Sequence, residues 1–347
     1  MKTALLGMTL SELEALCKTQ GLPRFAAKQM TDWLYKKKVK DISQMSNLSK
    51  AAREKLAEIY EVGVQAAAGC ITSTDGTKKY AFPTSDGRFV EAVMIPDGDR
   101  ATLCVSCQAG CKMGCKFCMT GRQGFHGNLT AAEIISQFIS IDESDNLTNA
   151  VFMGMGEPLD NWDSVSKTIE ILTADWGFAW SPKRITLSTI GIPDKLKLFL
   201  DNTKCHLAVS LHNPFPAERE ELMPAQHRHD IRDVLALIRQ YDFTGQRRVS
   251  FEYTMFAGIN DDKRHADGLI ALLKGIPCRV NLIRFHKIPD SNLETCPTAI
   301  MELFEQRLSK AGITTTIRAS RGEDILAACG MLAGKVGEDG TTGNGCS

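Results

Sequence analysis

The 347-residue sequence has no net charge, its 41 Lys and Arg balancing 41 Asp and Glu, so overall charge argues for no polyanionic partner. It also lacks any apolar run near the eighteen or so residues a membrane-crossing helix needs. The N-terminus MKTALLGMTLSELEALCK has no long apolar core and no small-residue cleavage site, and is not read as an export signal. Nor is there a second Cys-x-x-Cys knuckle of the kind structural zinc sites pair. Cysteine itself is abundant, with 12 residues. In the cytoplasmic setting these absences imply, clustered thiols more often mean metal or redox chemistry than structural bridges.

The densest cluster is Cys111-Lys112-Met113-Gly114-Cys115-Lys116-Phe117-Cys118. Three thiols at spacings of three and then two residues can occupy three corners of one iron–sulfur cube, leaving the fourth iron open to a small molecule. Gly114 and two lysines in the gaps suit a tight loop around a cofactor better than a buried strand. Unlinked core cysteines and a zinc site are the weaker alternatives. Cys104 and Cys107 stand just upstream.

Taken in order, residues 8–60 read as short helices: Glu12–Thr19 capped by Thr9 or Ser11, Ala26–Lys37 after Gly21-Leu22-Pro23, and a third from near Ser49 to before Gly63. Residues 1–60 carry eleven Lys/Arg against six Asp/Glu, and Lys36, Lys37, Lys38 and Lys40 follow Trp33 and Tyr35. A basic cluster beside rings suits a nucleic-acid contact, although a solvated lysine face accounts for it equally well. Asp75-Gly76 and Asp86-Gly87 are hairpin turn signals beside strand-like Lys78–Phe82 and Phe89–Ile95. Within the second, Glu91 is either a sheet-edge charge or a carboxylate aimed into a site.

From Ala101 strand-like runs recur at Ala101–Ser106, Asn149–Met153, Arg184–Ser188, His206–Ser210, Val249–Met255, Arg279–Arg284 and Thr314–Arg318. Helical patterns separate them: Ala131–Ile141, Trp162–Thr173, Asp194–Leu200, Ile231–Tyr241, Lys263–Leu273 and Thr298–Lys310. Such alternation argues for an α/β fold with a parallel sheet, a barrel or partial barrel whose site lies at the C-terminal strand ends. The polar motifs sit there: Cys111–Cys118, Gly154-Met155-Gly156-Glu157-Pro158, Ser188-Thr189-Ile190-Gly191, Ser210-Leu211-His212 and His286. Five polar clusters at strand ends point to one shared cofactor cleft. Four units follow along the chain: 1–62 a basic helical accessory module, 63–99 a β-hairpin extension or linker, 100–330 the barrel, and 331–347 a disordered tail that includes Cys346. Cys329, between Ala328 and Gly330, can sit in a mobile, closely approaching segment as a fourth cluster ligand, an inert thiol or a reactive one.

Cys-x-x-x-Cys-x-x-Cys with Phe117 before the last Cys resembles the radical S-adenosylmethionine (radical SAM) enzymes. Ala101–Gly121, Met153–Pro158, Leu187–Gly191, Ser210–His212, Val280–Arg284 and Arg318–Gly330 together resemble the RlmN/Cfr family of RNA adenine methyltransferases over nearly the whole chain. The resemblance implies a partial (β/α)6 radical SAM barrel with a small N-terminal helical domain and a short β extension. It implies a [4Fe-4S] cluster on Cys111, Cys115 and Cys118, and two molecules of S-adenosylmethionine per turnover. One methylates Cys329; the other, on the open iron, is cleaved to a 5′-deoxyadenosyl radical that takes hydrogen from the S-methyl group. The methylene radical adds to the base, and Cys104 then attacks the Cys329 sulfur, releasing the product and leaving a transient disulfide for reduction. Glu91 matches the proton acceptor. Gly156, Glu157, Ser188, Ser210, Leu211, His212 and His286 match the S-adenosylmethionine site, with His286 where the family usually has Asn. Cys107 stands where Ser is common and is read as a neutral exchange.

Arg318-Ala319-Ser320-Arg321-Gly322-Glu323-Asp324 looks more like the C2-methylating type than the C8 resistance type. The implied partners are 23S rRNA, tRNA next to the anticodon, and a flavodoxin- or ferredoxin-like reductant; the implied state is a cytoplasmic monomer without membrane contact. The rival readings are a C8 enzyme of the Cfr type, a radical enzyme acting on a protein or small molecule, and a non-catalytic RNA-binding protein with a structural metal cluster.

Overall fold

A computed structural model of the chain describes residues 2–245 and 247–333. The Cys346 tail expected to be disordered lies outside the described residues, apart from 331–333.

The N-terminal module begins with a strand at Thr3–Ala4 that pairs in parallel with Tyr60–Glu61, bringing the two ends of the first sixty residues together. Helix Leu10–Gln20 starts on a capping box. Glu12 N–H donates to Thr9 Oγ1 at 3.3 Å, and Thr9 N–H donates to Glu12 Oε2 at 2.9 Å. Gly21 closes the helix at φ +68°. The single helix expected over Ala26–Lys37 is instead an α-helix at Phe25–Thr31 followed by a π-turn at Asp32–Lys36. The widened turn lets two consecutive bulky side chains, Leu34 and Tyr35, both reach the core. The third helix, Lys50–Ile59, starts after Ser49 and ends before Gly63 as expected, where the chain turns extended to pair with Thr3–Ala4.

The rest of the chain is organised on one ten-stranded sheet. Seven strands run parallel in sequence order: Arg100–Cys104, Asn149–Phe152, Ile185–Thr189, His206–Ser210, Val249–Met255, Arg279–Arg284 and Thr314–Ile317. Each crossover carries one of the expected helices, including Ala131–Ile139, Trp162–Thr173, Pro193–Asn202, Ile231–Ile238, Lys263–Leu273 and Thr298–Lys310. Parallel pairing demands such crossovers, since no tight turn can reverse the chain and still keep direction. The strands Gly69–Thr72, Lys78–Pro83 and Phe89–Asp97 do not form a separate linker. They add to the Arg100–Cys104 edge in antiparallel fashion and continue the same sheet. One free edge is therefore Gly69–Thr72 and the other Thr314–Ile317. Phe138, Phe152, Phe199 and Phe251 are fully buried between the sheet and its helices.

The N-terminal module packs on the outer helices. Lys38 reaches Asp145 at 2.6 Å and Lys167 reaches Glu12 at 2.5 Å. Lys37 lies 3.5 Å over the Trp33 ring yet stays exposed, as do Lys36 and Lys40, so of the basic cluster only Lys38 is partly withdrawn from solvent. At the seam Gly7 has φ +81°, and a Cβ there would stand 2.5 Å from the backbone nitrogen of Ala132. Only glycine allows the two backbones that close. Gly7→Ala should lower stability by about 2 kcal/mol or more through backbone strain and this clash, read as a fall in the thermal unfolding midpoint.

Candidate active site

Among the described residues, one cavity gathers most of the expected motifs. It is walled by Cys111, Cys115 and Cys118 from the loop after the first parallel strand, and by Gly154, Gly156 and Glu157 after the second. Ser188 and Thr189 come from the third strand, Ser210 and His212 from the fourth, Glu252 and Thr254 from the fifth, and Arg318 from beyond the seventh. Cys329 and Gly330 form the remaining side. Strand direction explains the convergence, because parallel strands present all their C-terminal loops at one mouth.

The cysteine loop is shaped by close approaches. Gly114 sits at φ +65°, and a Cβ on Gly121 would meet the backbone of Cys115 at 3.0 Å. Burial pushes the Cys111 thiol up to about 12, and raises Cys115 and Cys118 as well, with neighbouring thiols adding to each shift. Three desolvated thiols whose charge is further disfavoured by thiols nearby suit a ligand bearing positive metal centres, which would reverse that balance. Among the described residues, no three or more His, Cys, Asp or Glu side chains are close enough to hold a metal ion.

Glu157 is buried and held from three sides. Thr189 Oγ1 donates to it at 2.5 Å, Ile190 N–H at 3.0 Å and Leu159 N–H at 3.1 Å. Burial outweighs these donors and raises its pKa to about 7. A Cβ on Gly156 (φ +102°) would lie 2.6 Å from Gln108, and one on Gly154 2.7 Å from Ser106 Oγ, so both glycines are required where the backbone lines the cavity. His212 accepts the Thr254 N–H at Nδ1 (2.9 Å), which leaves its proton on Nε2. Burial, with Arg219 nearby, lowers its pKa to about 3, so it is a neutral donor at working pH.

Three expected contacts lie elsewhere. Leu211 is fully buried and does not wall the cavity; its carbonyl accepts from Arg219 Nε at 3.0 Å. His286 is also absent from the wall, with one ring nitrogen 2.9 Å from Ser320 Oγ and the other 3.1 Å from Glu323. Glu91 is not on the cavity wall; it lies 3.0 Å from Lys79 Nζ and accepts the Ala333 N–H at 2.7 Å. Cys104 is buried and its pKa is pushed up to about 12 by desolvation and then by the charge of Cys329, with Arg318 opposing. Cys329 itself is exposed. Cys107 is buried against the Met155 carbonyl, a packing position.

Sequence reasoning passed over three groups. Arg219, fully buried, donates to the carbonyls of Ser210 (2.9 Å) and Ile190 (3.4 Å) and so braces two strand ends. Glu252 is 3 % exposed, with Oε1 bonded to Asn281 and Oε2 lacking a hydrogen bond 3.6 Å from Arg318. Thr189 was quoted in a motif, yet its hold on Glu157 has no sequence signal.

The radical SAM superfamily model matches residues 105–267 and the ribosomal RNA large subunit methyltransferase N-terminal domain matches residues 3–62. The chain is 59% identical to a probable dual-specificity RNA methyltransferase RlmN of Porphyromonas gingivalis over 332 residues, 96% of this chain and 94% of that protein. The chain belongs to the RlmN family. A dual-specificity RNA methyltransferase RlmN of Marinobacter nauticus is 43% identical across 98% of this chain and 95% of its own length. The crystal structure of a radical SAM methyltransferase from Sphaerobacter thermophilus superposes with TM-score 0.89 at 38% identity, covering 96% of this chain and all of that one. As an RlmN-type radical SAM RNA methyltransferase, the chain takes S-adenosylmethionine and a [4Fe-4S] cluster. The thiol set of Cys111, Cys115 and Cys118 fits that cluster.

Folding raises the Glu157 pKa from 4.5 to about 7, so between those values the folded chain holds a proton that the unfolded chain has released. Its stabilising share is complete below pH 4.5 and is lost as pH rises toward 7, at a cost of about 3 kcal/mol. Urea unfolding of the cluster-free protein between pH 4.5 and 7.5 should show that slope, and Glu157→Gln should flatten it.

Proposed function

We propose that the chain methylates C2 of adenine in 23S rRNA and in tRNA next to the anticodon, through an S-methyl group carried on Cys329. The observation that carries this reading is the place of Cys329: an exposed thiol on the wall of the cavity that the three cluster cysteines also line, and electrostatically coupled to the buried Cys104. Adenine C2 is not nucleophilic, so a plain displacement on the sulfonium methyl cannot reach it.

With S-adenosylmethionine bound, the cluster on Cys111, Cys115 and Cys118 supplies the radical chemistry. The chain's own residues do the rest. Gly156 and Glu157 receive the methionyl ammonium, a role that suits a carboxyl whose buried charge otherwise lacks a cation. Ser188, Ser210 and the Nε2–H of His212 offer donors to the remainder of the cofactor. Cys329 takes a methyl group from one S-adenosylmethionine and a second molecule is consumed in each turnover. Cys104 then attacks the Cys329 sulfur, freeing the methylated base and leaving a disulfide that a flavodoxin- or ferredoxin-like donor reduces. Glu91 accepts the proton from the ring carbon. The target base leaves its stack to enter the mouth, at a cost of a few kcal/mol, so loops are favoured over duplex. We read the protein as a cytoplasmic monomer; among its described residues no helix is long and apolar enough to cross a membrane.

Anaerobic reconstitution with iron, sulfide and reductant should yield 5′-deoxyadenosine, a methyl group on Cys329 and 2-methyladenosine in RNA. Absence of cofactor cleavage sinks the reading. Cys329→Ala should lower methylation by about a thousandfold or more, as loss of a covalent carrier does. Cys104→Ala should accumulate a covalent protein–RNA adduct visible on a denaturing gel, and normal turnover by that variant would refute the resolving role.

A further inference from the structure

On the approach to Cys329, five consecutive residues are each tied to another part of the fold. Ser320 Oγ lies 2.9 Å from His286 Nε2, and Glu323 lies 3.1 Å from His286 Nδ1. Arg321 faces Asp97 at 3.7 Å, and Gly322 N–H donates to Asp75 at 3.0 Å. Asp324 receives Ser73 Oγ at 2.5 Å and Thr74 N–H at 3.1 Å. Past Cys329 the chain is held again: Gly330 carbonyl accepts from Met119 N–H at 2.8 Å and Leu332 carbonyl from Thr120 Oγ1 at 2.7 Å. The exposed thiol is thus carried on a short arm suspended between two anchored stretches.

His286 is the buried member of the upstream anchor, with its side chain 6% exposed against 64% for Glu323. One ring nitrogen of His286 faces the Glu323 carboxylate and the other the Ser320 hydroxyl. Both ring nitrogens are then engaged by the arm's root. The neighbouring Phe285 walls the cavity, but His286 does not.

We propose that His286 is a positioning residue that fixes the root of the Cys329 arm through Ser320 and Glu323, and does not contact the cofactor. The proposal rests on the reading of Cys329 as the methyl acceptor. A thiol that must meet a sulfonium methyl in line gains most of its rate from placement, and a displacement of an ångström at the root is felt at the sulfur.

The test uses the reconstituted protein and the variants His286→Ala, Ser320→Ala and Glu323→Gln. Three quantities are measured: S-adenosylmethionine affinity by equilibrium dialysis, single-turnover methylation of Cys329 by peptide mass spectrometry, and amide exchange along 320–333. The expected result for His286→Ala is a loss of about tenfold or more in the methylation rate at saturating cofactor, with affinity within about twofold. Amide exchange at Leu326 and Ala327, whose N–H groups bond back to Glu323 and Gly322, should rise as well. Ser320→Ala and Glu323→Gln should move the rate in the same direction by less; both alter side chains that are not buried, so they carry the test if His286→Ala does not fold. About tenfold weaker cofactor binding with an unchanged saturated rate would make His286 a cofactor contact and overturn the proposal, as would no change in either quantity. If wild-type Cys329 never takes a methyl group, the functional reading fails on its own, and amide exchange still decides whether His286 holds the arm.

Discussion

Three thiols on one cavity wall, each desolvated by the protein around it, cannot all carry charge unless something positive stands among them, and that constraint shapes this mouth of the barrel. Desolvation and mutual repulsion hold Cys111, Cys115 and Cys118 protonated in the bare chain. The same logic extends to Glu157, a carboxyl kept near neutrality by burial although three donors face it. The bare site is therefore matched to cationic guests, a metal cluster and a sulfonium cofactor with its ammonium, whose arrival would supply what the thiols and carboxyl lack. Arg318 and Arg219 are the fixed cations of the region. One faces Glu252 across 3.6 Å, and the other is spent on backbone carbonyls.

Much of this was legible in the sequence because it is local. Strand–helix alternation from Ala101 gave the parallel strands and their order, and the motif positions gave the strand ends. The spacing of three thiols within eight residues marked the cysteine loop that lines the cavity. Each of these signals lives within a window shorter than one repeat of the fold. The Thr9 cap and the Asp75-Gly76 and Asp86-Gly87 turns are read for the same reason.

What escaped the sequence depends on long-range pairing. Nothing near residues 69–97 shows that three antiparallel strands extend the barrel's own sheet, because pairing partners are chosen by what they pack against. The π-turn at Asp32–Lys36 answers to two large side chains seeking one core. Leu211 and His286 sat in motifs and were expected at the cofactor, yet one is fully buried away from the cavity and the other bonds a segment more than thirty residues away. Arg219 has no motif at all, and its role exists only where the carbonyls of two neighbouring strand ends converge.

The sheet has two free edges, and the chain after the last strand travels from one to the other. Leaving Thr314–Ile317, it reaches the turn at Ser73–Thr77 beside Gly69–Thr72 and fastens there through Gly322 and Asp324. The cylinder is completed on that flank by a lashing of individual hydrogen bonds, with no continuous backbone ladder. A ladder breaks cooperatively, whereas a lashing can loosen one knot at a time. The circumference is closed in that sector by separate bonds alone, and the exposed thiol of Cys329 lies just beyond them.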